Sequence, residues 1–225
     1  MKLLRYCLCL VGFASLAPGA VIFSDFDPNN ITYQGGWGIY GTSNSVFPGA
    51  FNSMAMAFTT GSEASLTSIN VAIALINGTN QVILTLNSDN SGVPGGVIAS
   101  WILNSLPGFG FCCTAETVTA ASPILLTAGT RYWVTVAPGG ADTQAIWTNT
   151  NTSGLLADQE TSGGPFIPGT SVLSAFGVNG VDAVPEPVSF FLVAAGLALL
   201  AGSRLVGPTV DRRDPFQRDS SSNRT

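Results

Sequence analysis

Asp158 and Glu160 stand two residues apart. On an extended segment their carboxyl groups would share one strand face, about 7 Å apart along the chain. Two carboxylates at such a separation are the minimum that glycoside hydrolysis requires. Other catalytic arrangements are excluded by inventory. The chain has no histidine, and Lys2 is its only lysine. Ser-His-Asp and Cys-His nucleophile systems are therefore absent, as is a histidine-ligated zinc site. The Gly/Ser/Thr-rich sequence around Asp158 and Glu160 reads as a solvated loop. A carboxylate-based glycan hydrolase is thus the least favoured reading. No catalytic residue, metal or cofactor is expected.

Two further stretches invite a chemical reading. Asn87-Ser88-Asp89-Asn90-Ser91-Gly92 spaces side-chain oxygens at alternate positions before a glycine, as calcium loops do. Only Asp89 is charged there, and no downstream glutamate sits where a bidentate ligand is needed. A structural turn explains the stretch better: Asn and Asp bond nearby backbone, and Gly92 with Pro94-Gly95 supplies the unusual dihedrals. Cys112-Cys113 is the only cysteine pair left once an N-terminal leader is removed. In an oxidising compartment it would form a strained vicinal disulfide or remain as two thiols.

Flat aromatic faces are the remaining resource. Trp37, Trp101, Trp133 and Trp147, with Tyr33, Tyr40 and Tyr132, could pack against the apolar faces of sugars. Along Arg131–Val136 the two faces separate as Arg131, Trp133, Thr135 and Tyr132, Val134, Val136. The second set has the character of core. Trp133 then lies outward beside Arg131 or buries against a loop. Trp37 and Trp133 are the candidate carbohydrate contacts, against the plainer alternative that each tryptophan packs in the core.

Charge limits the possible partners. Only 9% of the residues are charged, while 46% are apolar, which is the opposite of the disorder signature. Between residues 20 and 184 there are nine carboxylates and one cation, Arg131, a net of −8. Binding nucleic acid requires several cations to displace counterions from phosphates, so that class is rejected.

The elements that would position these residues are strands. Ser68–Leu75 alternates, with Ile69, Val71, Ile73 and Leu75 on one face. Asn77-Gly78 follows, and Gln81–Leu86 alternates again with Val82, Leu84 and Leu86 inward. Asn77–Asn80 therefore reads as a hairpin connection. Further strands are expected at Val97–Leu103, Arg131–Val136, Ala145–Thr148 and Ala175–Val178. Many short strands between Gly/Pro/Asn/Ser turns indicate an all-β protein, an antiparallel β-sandwich of jelly-roll type.

Both ends read as targeting segments. Lys2 and Arg5, the apolar run Leu8–Leu16 and the small residues around Ala17, Gly19 and Ala20 make residues 1–20 a secretory signal peptide. Near the other end, Val188–Ser203 carries no charge and spans about 24 Å as a helix, against a hydrocarbon core near 30 Å. Leu205 and Val206 extend it past Arg204, whose long side chain can snorkel. One C-terminal transmembrane helix over about 188–206 is expected. Arg204, Arg212 and Arg213 would stay cytoplasmic by the positive-inside rule.

Pro185-Glu186-Pro187, a short apolar run with Gly196-Leu197, then Arg204 resembles the PEP-CTERM sorting signal. The resemblance implies export by a Gram-negative bacterium that makes exopolysaccharide. It also implies processing by an exosortase-type membrane enzyme. A polar tail continues beyond the pattern, over 214–225. Other residues carry a second resemblance: Gly35-Gly36-Trp37, Met54–Thr59, Leu66–Ile69, Ser88–Gly95, Leu106–Gly110 and Leu126–Trp133. In that order they are similar to the shared domain of the choice-of-anchor R proteins. That likeness spans about residues 22–180 and implies an extracellular β-sandwich with no established enzymatic activity.

The expected organisation is a signal peptide over 1–20, an extracellular sandwich over 21–183, a sorting and anchor segment over 184–213 and the tail. The expected function is that of a non-enzymatic surface or matrix protein associated with exopolysaccharide or biofilm. A carbohydrate-binding adhesion module is the alternative. The partners are the secretion machinery, the exosortase, the inner membrane before processing, and exopolysaccharide.

Overall fold

The structure, a computed structural model, describes residues 20–26, 35–110 and 115–182. The chain divides into two compact units, Met1–Ala183 and Val184–Thr225, and every described element lies in the first. Residues 1–19 of the signal peptide expected over 1–20, Tyr33, the Cys112-Cys113 pair, and Pro185, Glu186, Pro187 and Arg204 lie outside the described residues. No helix among the described residues is long and apolar enough to cross a membrane.

Twelve strands follow one another in the described chain. They are β1 (Ala20–Ser24), β2 (Gly36–Tyr40), β3 (Ser53–Thr59), β4 (Ala64–Val71), β5 (Ile73–Asn77) and β6 (Gln81–Asp89), followed by β7 (Pro94–Asn104), β8 (Glu116–Leu126), β9 (Arg131–Pro138), β10 (Gln144–Gln159), β11 (Ile167–Ser174) and β12 (Phe176–Asp182). They form two sheets, one of order β1-β12-β4-β8 and one of order β11-β10-β3-β9-β6-β7, with β2 and β5 both joined to β10. Every ladder is antiparallel. The all-β, antiparallel expectation is met.

Alternation predicts which side chains turn inward. Val82, Leu84 and Leu86 on β6 are fully buried, and Tyr132, Val134 and Val136 on β9 nearly so. They pack against Ile69, Val71, Phe176 and Val178 of the smaller sheet in one core. Burying an aliphatic side chain of this size contributes roughly 1.5–3 kcal/mol, so these rows hold the two sheets together.

Two sequence expectations are corrected. The single strand expected over Ser68–Leu75 breaks at Ala72. There the chain passes from the smaller sheet, where β4 lies, to the larger one, where β5 pairs with β10. Ala72 is buried and satisfied at both ends: its N–H donates to Ala175 O at 3.1 Å, and its carbonyl accepts from Thr148 N at 2.9 Å. A crossing between sheets leaves the period-2 pattern intact, so alternation could not reveal it. The hairpin expected at Asn77–Asn80 is not formed either, because β5 pairs with β10 whereas β6 pairs with β7 and β9. The turn is real: Gly78 has φ +79°, and a Cβ there would overlap Asp142 O. It redirects the chain instead of pairing its flanks.

Candidate functional site

The longest strand, β10, builds the site. Its first half, Gln144–Thr148, pairs with β2 and β5; its second half, Ser153–Gln159, pairs with β11 and, from Leu156 on, with β3. The segment holding Asp158 is therefore strand, not the loop expected from its composition. Composition predicts solvation, and Glu160, just past the end of β10, is indeed exposed; backbone pairing on both flanks holds Asp158 extended. Asp158 lies opposite Met54 of β3 and shares a sheet face with Leu156, while Glu160 follows just past the end of β10, in a bend.

That face is one wall of an open cleft of about 510 Å³, within the range of small-ligand sites. It is lined by Trp37, Tyr40, Phe51, Asn52, Met54, Leu156, Asp158 and Glu160, with Ala50 at the edge. Met54 and Leu156 are almost fully buried and form an apolar floor. Asp158 is half-buried and Glu160 exposed. A second hollow of about 290 Å³, lined by Gly41, Thr42, Pro138–Ala141 and Ser162, shares Phe51 with the first.

The aromatic side of the cleft is held from several directions. Trp37 Nε1–H donates to Val172 O of β11 at 2.9 Å, which fixes the half-buried indole. Tyr40 packs on Phe47, with ring centroids 5.2 Å apart. Gly38, two residues before Tyr40, lacks the Cβ that would overlap the Tyr40 ring and hydroxyl, so the phenol lies down along the strand. Asn52 Nδ2 donates to Gly38 O at 2.6 Å.

A compact loop over 41–51 carries Phe47 and Phe51. Its neck is closed by reciprocal bonds between Tyr40 and Asn52, each N–H to the other's carbonyl at 3.0 Å, as in an Ω-loop. Asn44, only 1% exposed, ties the interior. Its Nδ2 donates to Gly41 O, Phe47 O and Ala50 O, and its Oδ1 accepts from Val46 N and Phe47 N. One buried amide thus ties five backbone groups of the loop, two of which, Gly41 O and Phe47 O, also accept backbone N–H bonds from Asn44 and Ala50.

Of the two predicted carbohydrate contacts, Trp37 lines the cleft and Trp133 does not. Trp133 sits on the face of β9 opposite the main core, as its parity predicts, but it is fully buried. Ala55, Ala57, Ala157, Leu155 and Phe166 cover it in a second, smaller cluster, so burial against neighbouring structure is the outcome. Its Nε1–H donates to Asp89 Oδ1 at 2.7 Å. Asp89 also faces Arg131 Nη1 at 3.6 Å and accepts from Gly92 N at 3.3 Å. Asn87–Asp89 are accordingly the end of β6, and Asp89 locks the turn that follows, where Asn90 and Val93 exchange backbone bonds. Among the described residues no group of three or more His, Cys, Asp or Glu could hold a metal ion. Trp101 is half-buried, with Nε1–H on Thr119 O at 3.0 Å, and Trp147 is fully buried.

Sequence reasoning missed Phe51, Asn52 and the loop that presents them. Their only local signal was a run rich in Gly, Ser, Asn and Pro between two short apolar stretches. Comparison of the chain with family models, curated proteins and solved structures finds no match.

Proposed function

We propose that this chain is a non-enzymatic exported protein of the cell surface or extracellular matrix, and that its β-sandwich binds carbohydrate through the cleft of Trp37, Tyr40 and Phe51. One observation carries the reading. Three aromatic side chains line an open groove with an apolar floor, next to Asn52, Asp158 and Glu160. Sugars present both apolar ring faces and hydroxyl groups, and such a wall offers a complement to each. The adjoining hollow beyond Phe51 gives a polymer room to continue past one residue.

The rest of the proposal comes from the sequence. A signal peptide over 1–20 exports the chain. A PEP-CTERM-like segment over 184–213, with a transmembrane helix at about 188–206, holds it in the inner membrane of a Gram-negative bacterium until an exosortase-type enzyme acts. The exported part is a jelly-roll-like sandwich of the choice-of-anchor kind, working among exopolysaccharide in a biofilm. The C-terminus of the protein recovered from its host tests this address. A mature chain ending near Pro185–Pro187 is expected by mass spectrometry. A chain intact to Thr225 in the membrane fraction would reduce the segment to a plain anchor.

Binding is tested by titrating the full chain with oligosaccharides cut from the host's exopolysaccharide. Saturable binding is expected, weakened about five- to tenfold by Phe51→Ala, which removes one stacking face. Gly38→Ala is expected to act similarly by pushing the Tyr40 ring from its place, while both variants keep the parental melting profile. Undiminished affinity in both would remove the cleft from the reading. Asp158 and Glu160 also line one cleft, and a pair of carboxylates is what glycoside hydrolysis requires, which keeps a hydrolase as the second reading. New reducing ends during the same titration would establish it.

A further inference from the structure

We infer that the sugar taken by this cleft is cationic: a polymer of hexosamines bearing free amines. The inference rests on the carbohydrate reading above and concerns the ligand's charge. Among the described residues, Asp158 and Glu160 are the only charged ones lining the cleft. Among the described residues no cation lines it, and the single ion pair, Arg131 with Asp89, lies elsewhere. The two carboxylates therefore meet a ligand with their charge uncompensated by the protein.

The aromatic residues favour the same ligand. Trp37, Tyr40 and Phe51 line the same cleft, and ring faces attract ammonium groups as well as pyranose faces. A glucosamine unit presents both, an apolar ring face and an amine on one edge. The domain's overall field adds discrimination. With nine carboxylates and one cation between residues 20 and 184, it repels polyuronates and gathers cationic chains. A neutral sugar could also donate hydroxyls to Asp158 and Glu160, so the diagnostic quantity is the part of the affinity that depends on charge. Each exposed ammonium–carboxylate pair is expected to add about two- to fivefold.

The test compares three probes on the full chain: tetramers of glucosamine, of N-acetylglucosamine and of galacturonate. At low salt the glucosamine tetramer is expected to bind at least about fivefold tighter than its acetylated form. That ratio should shrink as sodium chloride shortens the range of the charges, and the galacturonate tetramer should not saturate. In the Asp158→Asn/Glu160→Gln double variant, with folding checked by its melting curve, the ratio should approach one. A ratio near one in the parent chain overturns the inference but leaves carbohydrate binding standing. A ratio that survives in the double variant overturns it too, because the charge selectivity then arises elsewhere. Galacturonate binding that appears only with calcium would replace it with a metal-bridged anionic ligand. If no oligosaccharide of any charge binds, the carbohydrate reading falls and the inference falls with it.

Discussion

Trp147→Ala is expected to destabilise the sandwich by about 3–5 kcal/mol, a large share of the 5–15 kcal/mol that holds a typical domain folded. Trp147 is fully buried where β10 meets two partners, opposite Trp37 of β2 and Ile73 of β5. Its ring stands edge-on to Phe176, with centroids 6.1 Å apart, and so packs the larger sheet onto the smaller one. Its Nε1–H donates to Ala175 O at 3.0 Å. That carbonyl also accepts from Ala72 N, so truncation leaves it one donor, and most of the cost is the cavity. The check is urea unfolding, where the midpoint should fall with little change in slope. A loss below about 1 kcal/mol would mean that the neighbours collapse into the space, a cost far under the usual range for a buried tryptophan.

Asp25→Asn is expected to flatten the pH dependence of stability and to make the protein more stable than its parent at neutral pH. Asp25 follows β1 and ties it to β12. Its N–H donates to Phe176 O at 3.2 Å, and its Oδ1 accepts from Phe176 N at 2.7 Å. The residue is 8% exposed, and Oδ2 has no hydrogen-bond partner among the described residues. Burial pushes its pKa up from 3.8 to about 7, against the smaller lowering by the Phe176 N–H. A carboxyl with a raised folded pKa keeps its proton in the fold but loses it in the unfolded chain. Its contribution is therefore fully present below pH 3.8 and drains away as pH rises to about 7. At 1.36 kcal/mol per pKa unit, the loss is at most roughly 4 kcal/mol.

Asparagine keeps the acceptor for Phe176 N and cannot ionise. Its Nδ2 lies where Oδ2 found no partner, which costs about 1–3 kcal/mol at every pH. The variant should therefore match or fall below the parent near pH 4 and overtake it by pH 8. Melting temperatures across that range decide the matter, at about 2–4 °C per kcal/mol for a chain of this size. Parallel curves for parent and variant would show that Asp25 does not titrate between the two states. The consequence is local as well as global. Phe23 of β1 packs on Phe176 and Phe58, so a charge on Asp25 loosens the edge strand first.

How legible the protein was depends on how far apart the interacting residues lie. Asp158 and Glu160 could be nominated by spacing alone, because two residues that close in sequence stay near one another whatever else the fold does. Their surroundings could not be read. Trp37, Tyr40 and Phe51 come to them from more than a hundred residues earlier in the chain, through the pairing of β10 with β2 and β3. Gly38 reads as an ordinary strand glycine until the Tyr40 ring is seen lying across it.

Sequence by itself determined the all-β class and the inward rows Val82-Leu84-Leu86 and Tyr132-Val134-Val136, because side-chain alternation is a local property with a period of two. It also determined the charge imbalance, which is a matter of composition. Tertiary structure alone decided the sheet change at Ala72, the separate partners taken by the two flanks of the Asn77-Gly78 turn and the burial of Trp133. It also decided the assembly of the cleft. Each of these depends on which strands become neighbours, and that choice is made by burial summed over the whole chain. The face of β9 that carries Trp133 points away from the main core, as alternation requires. Phe166 and Leu155 come from distant sequence to cover it, and no local pattern announces them.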